Sequence, residues 1–420
     1  LFDLIGLPFL PTYNDLQFKY KIRFDKKNEL SLIGLGALDD FRLNTGLKNP
    51  DEGQQYILDF LPVNEQWSYT IGAVYKHFRD NGFDTWVLSR SYLNNLAFKH
   101  EGNDESRPLI FDYLSEEAEN KLRYERLLRT GPYKFTYGAG LIHGRYSNRT
   151  LRTDFLSGEL STLSYQTDLD VFSYNLHGQV SRTLLDDRLT LSLGLRADAN
   201  DFDRAMSNPF DQLSPRGSLS YALSEKLFLN FNTGRYYQRP PYTSLGYRNL
   251  AGELVNKLNE VTYIRSDQVV TGLEFLPDRN AKVSLEGFYK VYDNYPFSVS
   301  DQVSIASKGG GFGTFGDEEV RSTGQGRAFG AELFFRDRDL AGNNVIVSYT
   351  FVRSEFRDAA GTYVPSAWDN KHLLNMTLTR SLKKNWDVGF KWRFVGGAPY
   401  TPFDEERSAD RLAWDARGTG

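Results

Sequence analysis

The sequence predicts an all-β fold, an antiparallel transmembrane β-barrel of about sixteen strands with short periplasmic turns and long extracellular loops. Three observations predict it. Apolar residues alternate with polar ones over runs long enough to cross a bilayer, the links between runs are alternately short and long, and residues that suit strands dominate the composition. Aromatic side chains make up 15% of the 420 residues, with 25 Tyr and 30 Phe. Such side chains favour a pleated, half-buried surface over a helix.

The alternation is clearest from Arg188 to Arg196. There Leu189, Leu191, Leu193 and Leu195 share one face, with Thr190, Ser192, Gly194 and Arg196 on the other. Val283, Leu285, Gly287, Tyr289 and Val291 oppose Ser284, Glu286, Phe288 and Lys290 in the same way, and Val345, Val347, Tyr349 and Phe351 continue the pattern. Trp386, Val388, Phe390, Trp392 and Phe394 form a further apolar face against Asp387, Gly389, Lys391 and Arg393. A soluble sandwich or propeller also alternates, but its strands run to about five or six residues. Several here reach roughly ten, the length of a tilted membrane-crossing strand. Their second face mixes Gly, Ser, Thr and isolated charges, as a wet lumen requires.

Short polar links separate the runs in pairs. They lie at Asp25 to Asn28, Asp80 to Gly82, Arg129 to Gly131, Leu185 to Asp187, Ser224 to Lys226, Pro277 to Asn280, Leu340 to Asn343 and Leu382 to Asn385. Each reads as a hairpin turn. On the other side, long loops are expected from Asn44 to Gln66, Glu101 to Ala118, Ser147 to Asp168, Asp201 to Leu213, Tyr236 to Tyr263 and Asn294 to Gln325. The stretch Tyr113 to Asn120 also admits a helical turn and is read as loop leading into a strand.

Mean hydropathy is −0.50, and no run of 18 apolar residues provides a membrane helix. A barrel needs none, because only alternate residues face lipid. A net charge of −4 argues against a nucleic-acid partner. The absence of Cys rules out disulfides and thiolate metal sites. His77, His100, His143, His177 and His372 are scattered without ligand spacing, so neither metal nor cofactor is expected. No nucleophile, base and orienting group come together, so no catalytic residue is expected and the chain reads as no enzyme. The start, Leu1 to Phe9, is apolar without the basic opening of a secretory signal, and Asp410 to Gly420 form no closing strand. A fragment whose targeting signal lies elsewhere is the expectation.

The second half carries a more particular pattern. Leu213-Ser214-Pro215-Arg216 with Ser218, Ser220 and Tyr221 leads to Leu229-Asn230, then to Gly234-Arg235-Tyr236-Tyr237-Gln238-Arg239-Pro240-Pro241-Tyr242. There follow, in order, Ser266-Asp267-Gln268, Gly272-Leu273-Glu274, Glu286-Gly287-Phe288-Tyr289-Lys290, Tyr292-Asp293-Asn294 and Gly326-Arg327-Ala328-Phe329-Gly330-Ala331-Glu332-Leu333. Trp368-Asp369-Asn370-Lys371-His372 and Gly396-Gly397-Ala398-Pro399-Tyr400-Thr401-Pro402 complete the series. In this order the pieces resemble the barrel of TonB-dependent outer-membrane receptors. Leu7 to Tyr13 is similar to a linking loop in such receptors, while the rest of residues 1 to 200 shares only rhythm.

The resemblance implies a barrel of about 22 strands closed by an N-terminal plug. Residues 1–420 would then be a partial barrel, with the plug and the C-terminal closing strands outside it. The implied function is import of a scarce ligand across the outer membrane of a Gram-negative bacterium, with energy from a TonB-type protein acting through the plug. An iron chelate, a cobalamin-like cofactor and an oligosaccharide or peptide are all open as ligand. Membrane lipid and lipopolysaccharide would surround the barrel, and a surface lipoprotein is a possible partner. A passive channel, or a soluble extracellular binding module or hydrolase, is the alternative.

For the ligand, the aromatic external loop offers Tyr236, Tyr237, Gln238, Arg239, Tyr242 and Tyr247, because rings stack on sugars or planar chelates at low entropic cost. Arg196, Glu274, Glu286, Lys290, Glu332, Lys391 and Arg393 are expected to face the lumen and a plug, since a charge in mid-bilayer would cost about 2–4 kcal/mol. The glycine run from Lys308 to Gly316 lacks the Lys-Ser/Thr ending of a phosphate loop and reads as an external loop. Glu116-Glu117, Glu318-Glu319 and Glu405-Glu406 read as solvated loop carboxylates.

Overall fold

The computed structural model describes residues 6–156, 159–308, 316–400, 402 and 404–417. Seventeen strands form one antiparallel sheet. The first half comprises β1 (Phe9–Arg23), β2 (Asn28–Leu43), β3 (Val63–Arg79), β4 (Gly82–His100), β5 (Leu109–Thr130), β6 (Tyr133–Leu156), β7 (Glu159–Leu184) and β8 (Leu189–Asn200). The second comprises β9 (Leu213–Ala222), β10 (Leu227–Gln238), β11 (Ile264–Phe275), β12 (Ala281–Ser298), β13 (Val320–Leu340), β14 (Asn343–Arg357), β15 (Tyr363–Pro365), β16 (Lys371–Leu382) and β17 (Trp386–Val395). Each long strand pairs with its sequence neighbour, and the three-residue β15 rides on the end of β14, which itself pairs with β16. Among the described residues no ladder joins β1 to β17, so both remain edges.

The short links lie where the sequence places them. At the β13–β14 turn Ala341 and Gly342 both have positive φ, 51° and 77°, the left-handed pair that matches a two-residue hairpin to strand twist. The long links differ most in three places. Leu109 to Ala118, expected as loop, belongs to β5, including the whole stretch that admitted a helical turn. Most of Ser147 to Asp168 is strand as well, since β6 and β7 run to 24 and 26 residues and only positions 157–158 separate them. Strand also occupies both ends of Asn294 to Gln325. The physical reason is common to all three: a hairpin can stay paired beyond the bilayer, where its outer face becomes polar. The glycine run lies outside the described residues except for Lys308 and Gly316.

Side-chain direction follows the predicted alternation. Leu193 is 67% exposed, and Leu285, Phe390 and Trp392 share that outer face. Rows continue across strands: Leu285 stands opposite Leu273 on one side and Leu333 on the other, all three exposed. This is a lipid-facing band. On the inner face the same rows carry Glu286 opposite Glu332.

The apolar core is not inside a sandwich but at the extracellular mouth. The β10–β11 loop carries helices α1 (Tyr242–Leu245) and α2 (Val255–Leu258). It folds inward against Tyr146, Leu169 and Val171 on the inner wall, and joins Phe202, Met206, Ile305 and Val320 in one buried cluster. Asn256 ties this loop to the β12–β13 connection, donating to the Ser244 and Glu318 carbonyls at 2.7 and 2.8 Å and accepting from Val320 N–H at 2.7 Å.

Candidate functional site

On the inner face of β10, β11, β12 and β14, at their extracellular ends, a cavity of about 380 Å³ opens toward the lumen. Its walls are aromatic, with Tyr236, Tyr237, Tyr292, Tyr295, Phe356 and Trp368. Gln238, Ser266, Gln268 and Ser354 add neutral polar groups. Cavities of this size, apolar with a few placed polar atoms, suit an organic ligand.

Glycines make room for the rings. Tyr292, Gly326 and Phe356 share one row, and a Cβ on Gly326 would come within 2.4 Å of the Phe356 ring. Without it, Phe356 stacks on Tyr292 at 5.6 Å and receives the edge of Tyr295 at 4.7 Å. Across the cavity Gly234 plays the same part between Arg216 and Tyr236, letting the guanidinium sit 4.4 Å over the ring. Offset and edge-on pairs of this kind hold ring planes fixed.

The polar side is also pre-set. Gln268 donates to Ser266 at 3.1 Å. Trp368 lies in a loop clamped to β14: Ser366 N–H donates to the Ser354 carbonyl at 2.8 Å, and the Asp369 carboxylate accepts from Ser354 N–H at 2.8 Å and pairs with Arg353 at 3.2 Å. A half-exposed indole is thus presented on a rigid turn.

The ligand candidates from sequence divide between two walls. Tyr236, Tyr237 and Gln238 line this cavity, but they end strand β10 and do not belong to a loop, which corrects the expectation. Pairing with β11 as far as Ile264 carries the ladder past them. Arg239 and Tyr242 point to the opposite wall. Arg239 lies 3.8 Å over the Tyr242 ring, and both reach Glu119, at 3.4 and 3.2 Å. Tyr242 is 4% exposed, and burial pushes its phenol up to about 12. Tyr247 meets Tyr165 edge-on at 5.8 Å. Beyond them, burial pushes the loop carboxyl of Asp317 up to about 6, although Arg152 stands 2.8 Å away and opposes the shift.

By register, Arg196, Glu274, Glu286, Lys290, Glu332, Lys391 and Arg393 lie on the sheet face opposite the exposed Leu273, Leu285 and Leu333 row. Arg196 pairs with Asp198 at 2.6 Å and Glu274 with Lys282. Lys290 sits 5.3 Å over Phe288. Glu286, Glu332, Lys391 and Arg393 enter no ion pair among the described residues. Tyr292, Tyr295, Phe356 and Trp368, which lie outside the aromatic segment that the sequence singles out, complete the cavity wall. Their signal was a ring placed near the upper end of each of several strands, visible only once register is known. Among the described residues no three His, Cys, Asp or Glu side chains are grouped to hold a metal ion.

The family model described as TonB dependent receptor-like, beta-barrel matches residues 8–419. No curated protein matches the sequence. Among solved structures, the copper transporter OprC superposes with a TM-score of 0.66 at 14% identity, covering 93% of this chain and 59% of that one. The ferric enterobactin receptor PfeA of Pseudomonas aeruginosa gives 0.60 at 15% identity, covering 91% and 64%. The siderophore receptor PirA of Pseudomonas aeruginosa gives 0.60 at 13%, covering 93% and 63%. The chain thus spans about three fifths of the length of these structures.

Proposed function

The chain belongs to the TonB-dependent receptor family, barrels of the Gram-negative outer membrane that transport and do not catalyse, and on that premise we propose that it forms most of the wall of a plugged importer for a ferric chelate. The observation that carries this reading is the aromatic cavity at the mouth. Its rings can stack on the flat aromatic or amide groups of a chelator. Its lining of Tyr, Phe, Trp, Ser and Gln suits a whole organic complex better than a bare soft metal ion, which would prefer thioether or imidazole ligands. PfeA and PirA, similar in fold, are named for siderophores.

Two features support the energy-coupled, plugged form over a passive channel. The inner-face charges Glu286, Glu332, Lys391 and Arg393 await a polar filling, and a barrel this wide leaks unless filled. Among the described residues strands β1 and β17 each leave one edge unpaired, which a membrane does not tolerate, so both are proposed to pair with further strands of a larger barrel.

The test is uptake of radiolabelled ferric catecholate by cells expressing the full-length protein, with and without the inner-membrane energy-coupling partner. Uptake only with the partner supports the reading. Equal uptake in both strains indicates a passive channel, and no uptake in either sinks the ferric-chelate assignment.

A further inference from the structure

The upper part of the β6–β7 hairpin stands clear of the membrane. Along β7 the exposed Phe172, Tyr174 and Leu176 belong to the lipid-facing band, whereas Thr162, Ser164, Gln166, Asp168 and Asp170 above them are exposed and polar. The alternate residues Leu163, Tyr165, Thr167 and Leu169 are buried on the inner side, where Tyr165 meets Tyr247 and Thr167 donates to the Gly246 carbonyl at 2.7 Å. Both faces of the upper strand are thus accounted for.

One of its edges is not. β6 pairs with β7 from Tyr133 and Arg182 up to Leu156 and Glu159 without a register shift, and β5 covers the far side of β6 as far as Arg152. β8, by contrast, pairs with β7 only from Asn200 and Ser173 downward. Phe172 closes that ladder: its N–H donates to the Asp201 carboxylate at 2.7 Å, and its carbonyl accepts from Asp201 N–H at 3.1 Å. Both groups point to the β8 side, so with an unbroken period of two the N–H and C=O of Asp170, Asp168, Gln166, Ser164 and Thr162 point the same way. Among the described residues no backbone group bonds to them there. The open edge is on the order of 35 Å long.

Chains usually blunt such an edge with Lys, Pro, a bulge or a covering segment. Residues 160–167 carry no charge and no Pro, and their register has no bulge. At β14 the same barrel does cover its upper overhang, Glu355 to Arg357, with β15.

We propose that the open edge of β7 docks an extended segment of a second, surface-exposed protein, which adds to the sheet as an antiparallel strand above the end of β8. Main-chain bonds give such a strand its affinity and alternate side chains its selectivity. Charge complementarity sets its chemistry. Asp168 forms no ion pair among the described residues, while Asp170 is already shared by Arg145 and His143, so the segment carries Lys or Arg opposite Asp168. Farther up, small uncharged side chains face Thr162, Ser164 and Gln166, and branched apolar ones lie beside the buried Leu163 and Tyr165. The proposal extends beyond import and does not depend on which ligand is carried.

The experiment uses the full-length receptor in detergent and, as probe, a fluorescently labelled synthetic peptide Lys-Val-Thr-Val-Thr-Val-Thr with both ends capped. Its Lys falls opposite Asp168 and its last Thr opposite Thr162. Saturable binding by fluorescence anisotropy is expected. Methylating the three Thr nitrogens, whose N–H groups face β7, should weaken it roughly tenfold or more, and methylating the three Val nitrogens should not. Ser164→Pro, which removes a donor only from the open side, is expected to weaken binding roughly tenfold with heat-modifiable migration unchanged. Asp168→Lys is expected to weaken it roughly threefold to tenfold. The methylated peptides act on the wild type and decide the matter if Ser164→Pro does not assemble. No saturable binding, equal effects of the two methylation patterns, or unchanged affinity in either assembled variant would overturn the proposal. So would a wild-type dimer that Ser164→Pro dissociates, which would assign the edge to a second copy of this chain.

Discussion

Tyr146 on the inner wall and Tyr242 in the β10–β11 loop lie nearly parallel, 5.7 Å apart with 8° between ring planes. This stack fastens the inward-folded loop to the barrel, beneath which Gly144 leaves room for the Tyr242 hydroxyl. An added Cβ there would stand 1.8 Å from that oxygen.

Gly144→Ala is therefore expected to unseat the loop without disturbing the barrel. Hydrogen exchange across residues 239–263 should rise by at least tenfold, consistent with losing part of the few kcal/mol that a buried aromatic contributes. Heat-modifiable migration should stay as in wild type. Unchanged exchange would mean that the loop is held elsewhere.

Gly326→Ala tests the ligand cavity without touching any proposed contact. The new methyl group displaces Phe356 from its stack on Tyr292. Affinity for a ferric catecholate, measured by calorimetry, should fall roughly 3- to 10-fold, matching about 0.5–1.5 kcal/mol for an aromatic pair.

Leu193→Lys places a charge on the lipid face at a cost of about 2–4 kcal/mol. Gln179→Lys, on the lumen side of the neighbouring strand in register with Gly194, should be neutral. Folding into vesicles followed by gel migration should separate the two, and normal assembly of Leu193→Lys would reverse the assigned orientation.

Asp317 gives the mouth a pH dependence. Its folded-state value near 6 lies above the ordinary 3.8, so its protonated form fits the closed loop better. That contribution is complete below about pH 3.8 and is lost as pH rises through 6. Exchange in residues 316–320, corrected for intrinsic rate, should therefore be faster at pH 7.5 than at pH 5. In Asp317→Asn the difference should shrink.

Much of this was legible in the sequence. Leu191, Leu193 and Leu195 announced their strand and its lipid face, because a two-residue period survives any context. The upper β6–β7 hairpin was missed although Leu163, Tyr165, Thr167, Leu169 and Val171 also alternate. There the outer face is polar, so hydropathy resembles a loop, and the buried face packs on a loop rather than on lipid. The ligand cavity was half legible. Tyr236, Tyr237 and Gln238 stood together in sequence, but Tyr292, Phe356 and Trp368 join them only through the β10–β14 register, which no single strand encodes.

The most direct test of the central claim is equilibrium binding of a ferric catecholate to the full-length receptor, wild type against Tyr292→Ala with Phe356→Ala. Saturable binding by wild type, lost or weakened at least tenfold in the assembled double variant, is the predicted result. Binding of equal strength by both would contradict the aromatic cavity as the ligand site.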